Sequence, residues 1–137
     1  MNIFITGISG FVGSHMADFI LNESPENVIY GIRRWRSKTD NIEHLFGNPR
    51  VIFIEADLID RGSLHNALRE SKPDLIYHFA SQSHPQVSFA TPIQTAMTNC
   101  IGTVNLLDEI YFFVKEDYIS PTIVSISTSE VYGQPKE

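Results

Sequence analysis

Apolar residues along the chain fall into short runs separated by longer amphipathic stretches. Ile3-Phe4-Ile5 lies in a predicted first strand over residues 2–6, and a helical pattern over 11–23 carries Phe19, Ile20 and Leu21. Ser24-Pro25-Glu26-Asn27 breaks that helix, and Val28 to Ile32 reads as the second strand. A polar loop over 33–41 leads to a short helix from Ile42 to Phe46, stopped at Asn48-Pro49. Val51 to Ile54 forms the third strand, followed by Glu55-Ala56-Asp57-Leu58. Asp60 is placed to cap a helix running to about Ser71, with Leu64 and Leu68 on one face. Leu75 to Phe79 is the fourth strand, and small and polar residues from Ala80 to Thr91 predict a loop. Thr91-Pro92-Ile93-Gln94 reads as a capping box with proline in the first turn. The helix behind it spaces Ile93, Met97, Ile101, Val104, Leu107 and Ile110 by three or four residues, which predicts its buried stripe. Ile123 to Ile126 is the fifth strand. Strands alternating with helices predict an α/β fold, a doubly wound parallel sheet with helices on both faces. The expected strand order is 3-2-1-4-5, with a ligand across the switch point between strands one and four.

Composition narrows the classes. A chain of 137 residues, 42% hydrophobic, suits one domain with a real core. The net charge of −6 argues against a general nucleic-acid surface. No apolar run reaches membrane-spanning length, and the first residues already read as a strand, so neither a membrane partner nor a signal peptide is expected. The lone Cys100 excludes an internal disulfide and fits a reducing compartment; the expected location is cytoplasmic. No metal site is expected.

The strongest chemical signal is Thr6-Gly7-Ile8-Ser9-Gly10-Phe11-Val12-Gly13, between the first strand and the first helix. Gly7 permits a tight turn, Gly10 lets backbone approach a pyrophosphate, and Gly13 lets the helix pack close to the sheet. Unpaired N–H groups where the helix begins at Phe11 and Val12 would hold negative charge. An ordinary glycine loop is the alternative, and the position after the first strand favours the dinucleotide cradle. An NAD site usually places a carboxylate at the end of strand two, about 20 residues past the glycines. Here that point carries Arg33 and Arg34, with Arg36 beyond and no acid before Asp40. Guanidinium groups bind a phosphate in a forked geometry, so the expected cofactor is NADP rather than NAD. The alternative is a solvated basic loop.

Asp57 can accept a hydrogen bond from an adenine amino group and Leu58 can cover the ring; a polar turn beside a core leucine explains them almost equally well. Phe79-Ala80-Ser81-Gln82-Ser83, across the switch point, offers small residues for close approach of ribose and nicotinamide. His78 and His84 read as packed, hydrogen-bonded residues rather than catalysts. Ser127-Thr128-Ser129-Glu130 follows strand five on the edge where open α/β sheets bind ligands. A hydroxyl and a carboxylate two residues apart can bind a sugar hydroxyl and move a proton; a capped loop is the alternative.

These strings carry a resemblance. Thr6-Gly7-x-x-Gly10-x-x-Gly13, Asp57-Leu58, Asn99-x-x-Gly102-Thr103 and Ser127 through Gly133 resemble the extended short-chain dehydrogenase/reductase family, in its nucleotide-sugar branch. Gly31-Ile32-Arg33-Arg34, Ile42-Glu43-His44-Leu45, Gln82-Ser83-His84 and Val87-Ser88-Phe89 are most similar to its GDP-mannose 4,6-dehydratase subgroup. The resemblance implies a Rossmann domain that binds NADP, with Asn99 and Ser127 among the cofactor-facing residues, and a nucleotide-sugar substrate. It implies transient oxidation at sugar C4, removal of the C5 proton by Glu130, loss of water from C6 and return of the hydride to C6. Thr128 would hydrogen-bond the C4 hydroxyl. Related enzymes pair through the long helix, so a homodimer or tetramer is expected of the full-length protein.

The same resemblance implies a Tyr-x-x-x-Lys pair and a sugar-nucleotide subdomain well beyond Glu130. Only seven residues follow Glu130, and Tyr111 with Lys115 has the spacing in the wrong place. The expectation is therefore an incomplete dinucleotide-binding domain over 1–137, inactive alone and part of a longer enzyme. Competing readings are an epimerase, reductase or decarboxylase of the same branch, and a dinucleotide-binding module without turnover. The usual acidic end of strand two in the decarboxylases argues against them here.

Overall fold

A computed structural model describes residues 1–133. Its elements are β1 (Asn2–Thr6), α1 (Phe11–Glu23), β2 (Val28–Arg33), a 3-10 turn (Glu43–Leu45), β3 (Val51–Glu55), α2 (Arg61–Ser71) and β4 (Leu75–His78). They continue through α3 (Pro85–Ala90), α4 (Pro92–Ala96), a π turn (Met97–Ile101), α5 (Gly102–Lys115), β5 (Thr122–Ser125) and a 3-10 turn (Ser129–Tyr132). All strand pairs are parallel and the order is β3-β2-β1-β4-β5, as the alternation of elements predicts.

Side-chain alternation in the strands builds two cores. Ile3, Ile5, Ile29 and Val51 face one side and pack with Ala17 and Ile20 of α1. Phe4, Ile32 and Ile76 face the other and pack with Leu64, Leu68, Leu106, Ile110 and Phe113 of α2 and α5. Burial on both faces is the reason the strands are nearly continuous apolar runs. The Asp60 cap forms as expected, its carboxylate accepting the Gly62 N–H at 3.1 Å.

Three expectations fail. Residues 85–90, read as loop, form the short helix α3, with Pro85 in its first turn. Thr91 makes no capping box: it ends α3, its N–H and its hydroxyl both donating to the Val87 carbonyl, at 2.8 and 2.9 Å. The predicted stripe of the long helix lies largely on the wrong side. Ile93 (79% exposed), Val104 (59%) and Leu107 (46%) face outward, and of that stripe only Ile110 is buried. The core face is Gly102, Leu106, Ile110 and Phe113. The π turn, in which the Gly102 N–H reaches back to the Met97 carbonyl, inserts one residue. At 3.6 residues per turn that rotates everything before it by about 100°.

Candidate functional site

The carboxyl ends of β1, β2, β3 and β4 open onto one cavity of about 490 Å³ at the switch point. Its floor is the glycine turn. Gly7 has φ of +72°, and a Cβ there would lie 2.8 Å from the Ala80 nitrogen. Gly13 meets the turn from the helix side: a Cβ there would lie 2.3 Å from the Gly7 carbonyl oxygen. The turn closes through Gly10 N–H to the Gly7 carbonyl at 2.9 Å. No side chain caps α1, so its first backbone N–H groups, at Phe11, Val12 and Gly13, lack intrahelical partners. A turn that excludes side chains beneath an uncapped helix end fits a pyrophosphate.

One wall is basic. Arg33, Arg34 and Arg36 line the cavity together with Ser37 and Lys38, and none of these cations forms a salt bridge among the described residues. Asp57 is the only carboxylate lining it among the described residues. Asp57 Oδ1 accepts the Ile59 N–H at 3.3 Å, so the side chain is at least a turn residue. Leu58 is 4% exposed and packs against Gly102, where a Cβ would lie 2.8 Å from its own Cβ. The opposite wall is Phe79, Ala80, Ser81 and Gln82.

Other residues singled out in the sequence stand back from the cavity. Ser83 is exposed and does not line it. Asn99 spends its amide on the wall: its Oδ1 accepts the Gln82 N–H at 2.7 Å and its Nδ2 donates to the Gln82 carbonyl at 2.9 Å. Ser127, Thr128 and Glu130 lie past β5, exposed and outside the lining. Ser127 has φ of +57°, a left-handed conformation that costs a serine about 1–2 kcal/mol, at the point where the chain leaves the sheet. Thr128 caps the 3-10 turn, its oxygen accepting the Glu130 N–H at 3.3 Å. The lining also holds residues not expected there from the sequence: Ser9, Ile32, Ser37, Lys38, Ala56, Gln94 and Thr98. Gln94 and Thr98 reach the cavity from the segment whose phase the π turn shifts. Among the described residues no cluster of His, Cys, Asp and Glu could hold a metal, and no helix is long and apolar enough to cross a membrane.

A parallel sheet of order 3-2-1-4-5 with a glycine turn at its switch point defines a Rossmann-like fold of the extended short-chain dehydrogenase/reductase type. The chain belongs to the GDP-mannose 4,6 dehydratase family, whose model matches residues 4–137. It is 36% identical over 140 residues to a GDP-mannose 4,6-dehydratase of Vibrio cholerae, covering 97% of this chain and 37% of the relative. It is 37% identical over 141 residues to the Drosophila melanogaster GDP-mannose 4,6 dehydratase, covering 97% and 35%. A crystal structure of the dTDP-glucose 4,6-dehydratase DesIV from Streptomyces venezuelae, with NAD bound, superposes with a TM-score of 0.83 at 30% identity. That match covers all of this chain and 42% of DesIV. The chain thus spans little more than a third of the length of these relatives.

Proposed function

We propose that the chain is the NADP-binding part of a GDP-mannose-type nucleotide-sugar 4,6-dehydratase. The observation that carries the cofactor choice is the basic wall: among the described residues Arg33, Arg34 and Arg36 form no salt bridge where β2 ends, although Glu55 and Asp60 line a neighbouring pocket with Arg34 and Arg36, and the one carboxylate that lines the cavity itself, Asp57, already accepts a backbone N–H. Gly7, Gly10 and the N–H groups of Phe11, Val12 and Gly13 would hold the pyrophosphate. The arginines would hold the 2′-phosphate, Asp57 and Leu58 the adenine, and Phe79 to Ser83 with Ser127 the nicotinamide half. Asn99 serves the cofactor through Gln82. Bound there, NADP would accept a hydride from the sugar and return it.

The chemistry of the chain's own residues follows from their protons. Oxidation at C4 makes the C5 proton acidic enough for a carboxylate, and Glu130 removes it. The Thr128 oxygen accepts from the Glu130 N–H, which leaves its own O–H free to bind the C4 hydroxyl. Thr128 and Glu130 thereby sit on one 3-10 turn. The test is turnover by the full-length protein. Conversion of GDP-mannose to its 4-keto-6-deoxy product supports the reading; epimerisation or decarboxylation of another nucleotide sugar replaces it. The 33% identity to the Arabidopsis thaliana UDP-glucuronic acid decarboxylase 1 makes decarboxylation the alternative to assay.

A further inference from the structure

His78 is buried on β4, 8% exposed, and does not line the cavity. Its hydrogen-bond partners order the protons around it. The Thr103 hydroxyl oxygen lies 2.7 Å from the Asn99 carbonyl oxygen. A carbonyl has no proton to give, so Thr103 donates there. Thr103 Oγ1 is also 3.0 Å from His78 Nε2, and with its only proton spent it must accept. The proton therefore sits on Nε2. In a neutral ring His78 Nδ1 is then a bare lone pair, 2.7 Å from Thr6 Oγ1, whose hydroxyl donates to it. Thr6 Oγ1 in turn accepts the Ala80 N–H at 3.1 Å. Burial pushes the ring's pKa below its ordinary value, in keeping with a neutral imidazole.

The two ends of this chain of bonds meet the same cavity wall. One end is the Ala80 N–H. The other passes through Asn99, which grips the Gln82 backbone from both sides. Thr6 also directly precedes Gly7, and Asn99 belongs to the π turn.

We infer that His78, held as the neutral Nε2–H tautomer by Thr6 and Thr103, is a positioning residue that sets the Ala80–Gln82 wall against the glycine turn and the π turn. That this wall serves a dinucleotide rests on the function proposed above; the tautomer and the coupling do not. The opposite tautomer is excluded because it would aim the Nε2 lone pair at an oxygen whose proton is already given to Asn99. Replacing Thr103 with valine keeps the shape and removes the acceptor that locks the ring. Replacing it with serine keeps the acceptor.

The test uses the full chain, unmutated and as Thr103→Val and Thr103→Ser. Long-range proton–nitrogen NMR of the ligand-free protein, with the His78 ring assigned by loss of its signals in His78→Asn, reads the tautomer. The unmutated and serine proteins should show Nε2–H alone, and the valine protein a mixture. Amide exchange should quicken about tenfold at Ala80 and Gln82 in Thr103→Val, and stay unchanged at Phe4 and Ile76 in the sheet. NADPH affinity should fall about tenfold in Thr103→Val, the loss of roughly one hydrogen bond's worth of order, and recover in Thr103→Ser. An Nδ1–H or charged ring in the unmutated protein overturns the inference. So does a valine variant whose Ala80 and Gln82 amides exchange as before. If tautomer and exchange behave as stated but the unmutated protein binds no NADPH, the positioning role stands and the cofactor reading fails.

Discussion

Arg61 grips the carboxylate of Glu109 with both Nε, at 2.9 Å, and Nη2, at 2.8 Å, and so bolts α2 to α5. His65 Nδ1 lies 3.0 Å from the other oxygen, and the Glu109 side chain is only 8% exposed. Burial alone would push the Glu109 carboxyl up. Hydrogen bonds from Arg61 and His65 more than reverse this and hold it below its ordinary value. A depressed folded value means the unfolded chain takes up the proton first as pH falls. The stabilisation is therefore complete above the unfolded value, about pH 4.3, and is lost as pH drops through the folded one. Glu109→Gln should cost about 1–3 kcal/mol near neutral pH, since it removes the charge on the one oxygen that meets both Arg61 bonds and replaces the oxygen facing His65 with an amide N–H₂. It should also flatten the acid limb of the stability profile. Urea unfolding at stepped pH measures both, and a variant with the unmutated profile would remove the carboxylate from the account.

Gly13 predicts a steric hierarchy. A Cβ at Gly13 meets the Gly7 carbonyl oxygen at 2.3 Å, whereas one at Gly10 meets the same oxygen at 3.2 Å. Gly13→Ala should therefore lower stability by about 1–3 kcal/mol through forced displacement of the turn. Gly10→Ala should cost less in stability and more in nucleotide affinity, because it crowds the cavity side. Thermal melts and NADPH titration of the two variants give the ranking, and equal stability losses would contradict it.

The parts of this molecule that were legible in the sequence are those where one physical requirement dominates. Glycines at 7, 10 and 13 after a strand leave few alternatives to a helix-closing turn, and Asp60 ahead of a periodic run is an N-cap. The parallel order follows from alternation of elements. The long helix misled because it is apolar on several sides, so periodicity names a stripe without saying which stripe is buried. Its π turn then changed the phase between Ile93 and Leu106. The signal that would have found the core face is Gly102, whose missing side chain admits Leu58. Helix α3 carries too few residues for any period to register. At the site, Arg33, Arg34 and Arg36 were visible as a cluster, but the detour of Asn99 through the Gln82 backbone was not, since spacing says nothing of which atoms a side chain bonds.

The outward face of the long helix predicts self-association. Ile93, Ile101, Val104 and Leu107 are all exposed along it. The full-length protein should sediment as a dimer or larger at tens of micromolar. Val104→Asp combined with Leu107→Asp should shift it to monomer with little loss of intrinsic stability, because neither side chain is buried within one chain. A full-length protein that is monomeric before mutation would contradict this.

Glu130 predicts a split between two steps. Glu130→Gln in the full-length enzyme keeps the size of the side chain and the backbone N–H that Thr128 accepts. Nucleotide affinity should hardly change, while overall turnover should drop about 10²–10⁴-fold, the usual loss for a positioned acid/base. A 4-keto sugar that retains its C6 hydroxyl should accumulate. Thr128→Val should slow the earlier oxidation at C4 instead. Near-normal dehydration by Glu130→Gln would make that residue part of a capped loop and nothing more.

The cavity at the switch point, as proposed, is an NADP site made selective by its basic wall. Isothermal calorimetry of the protein with NADP and with NAD tests it most directly, repeated on Arg33→Ala/Arg34→Ala. NADP should bind about tenfold to a hundredfold more tightly than NAD, the contribution of charge-assisted contacts to one phosphate. The double variant should lose that preference and keep its NAD affinity. Equal affinities of the unmutated protein for the two nucleotides would contradict the claim.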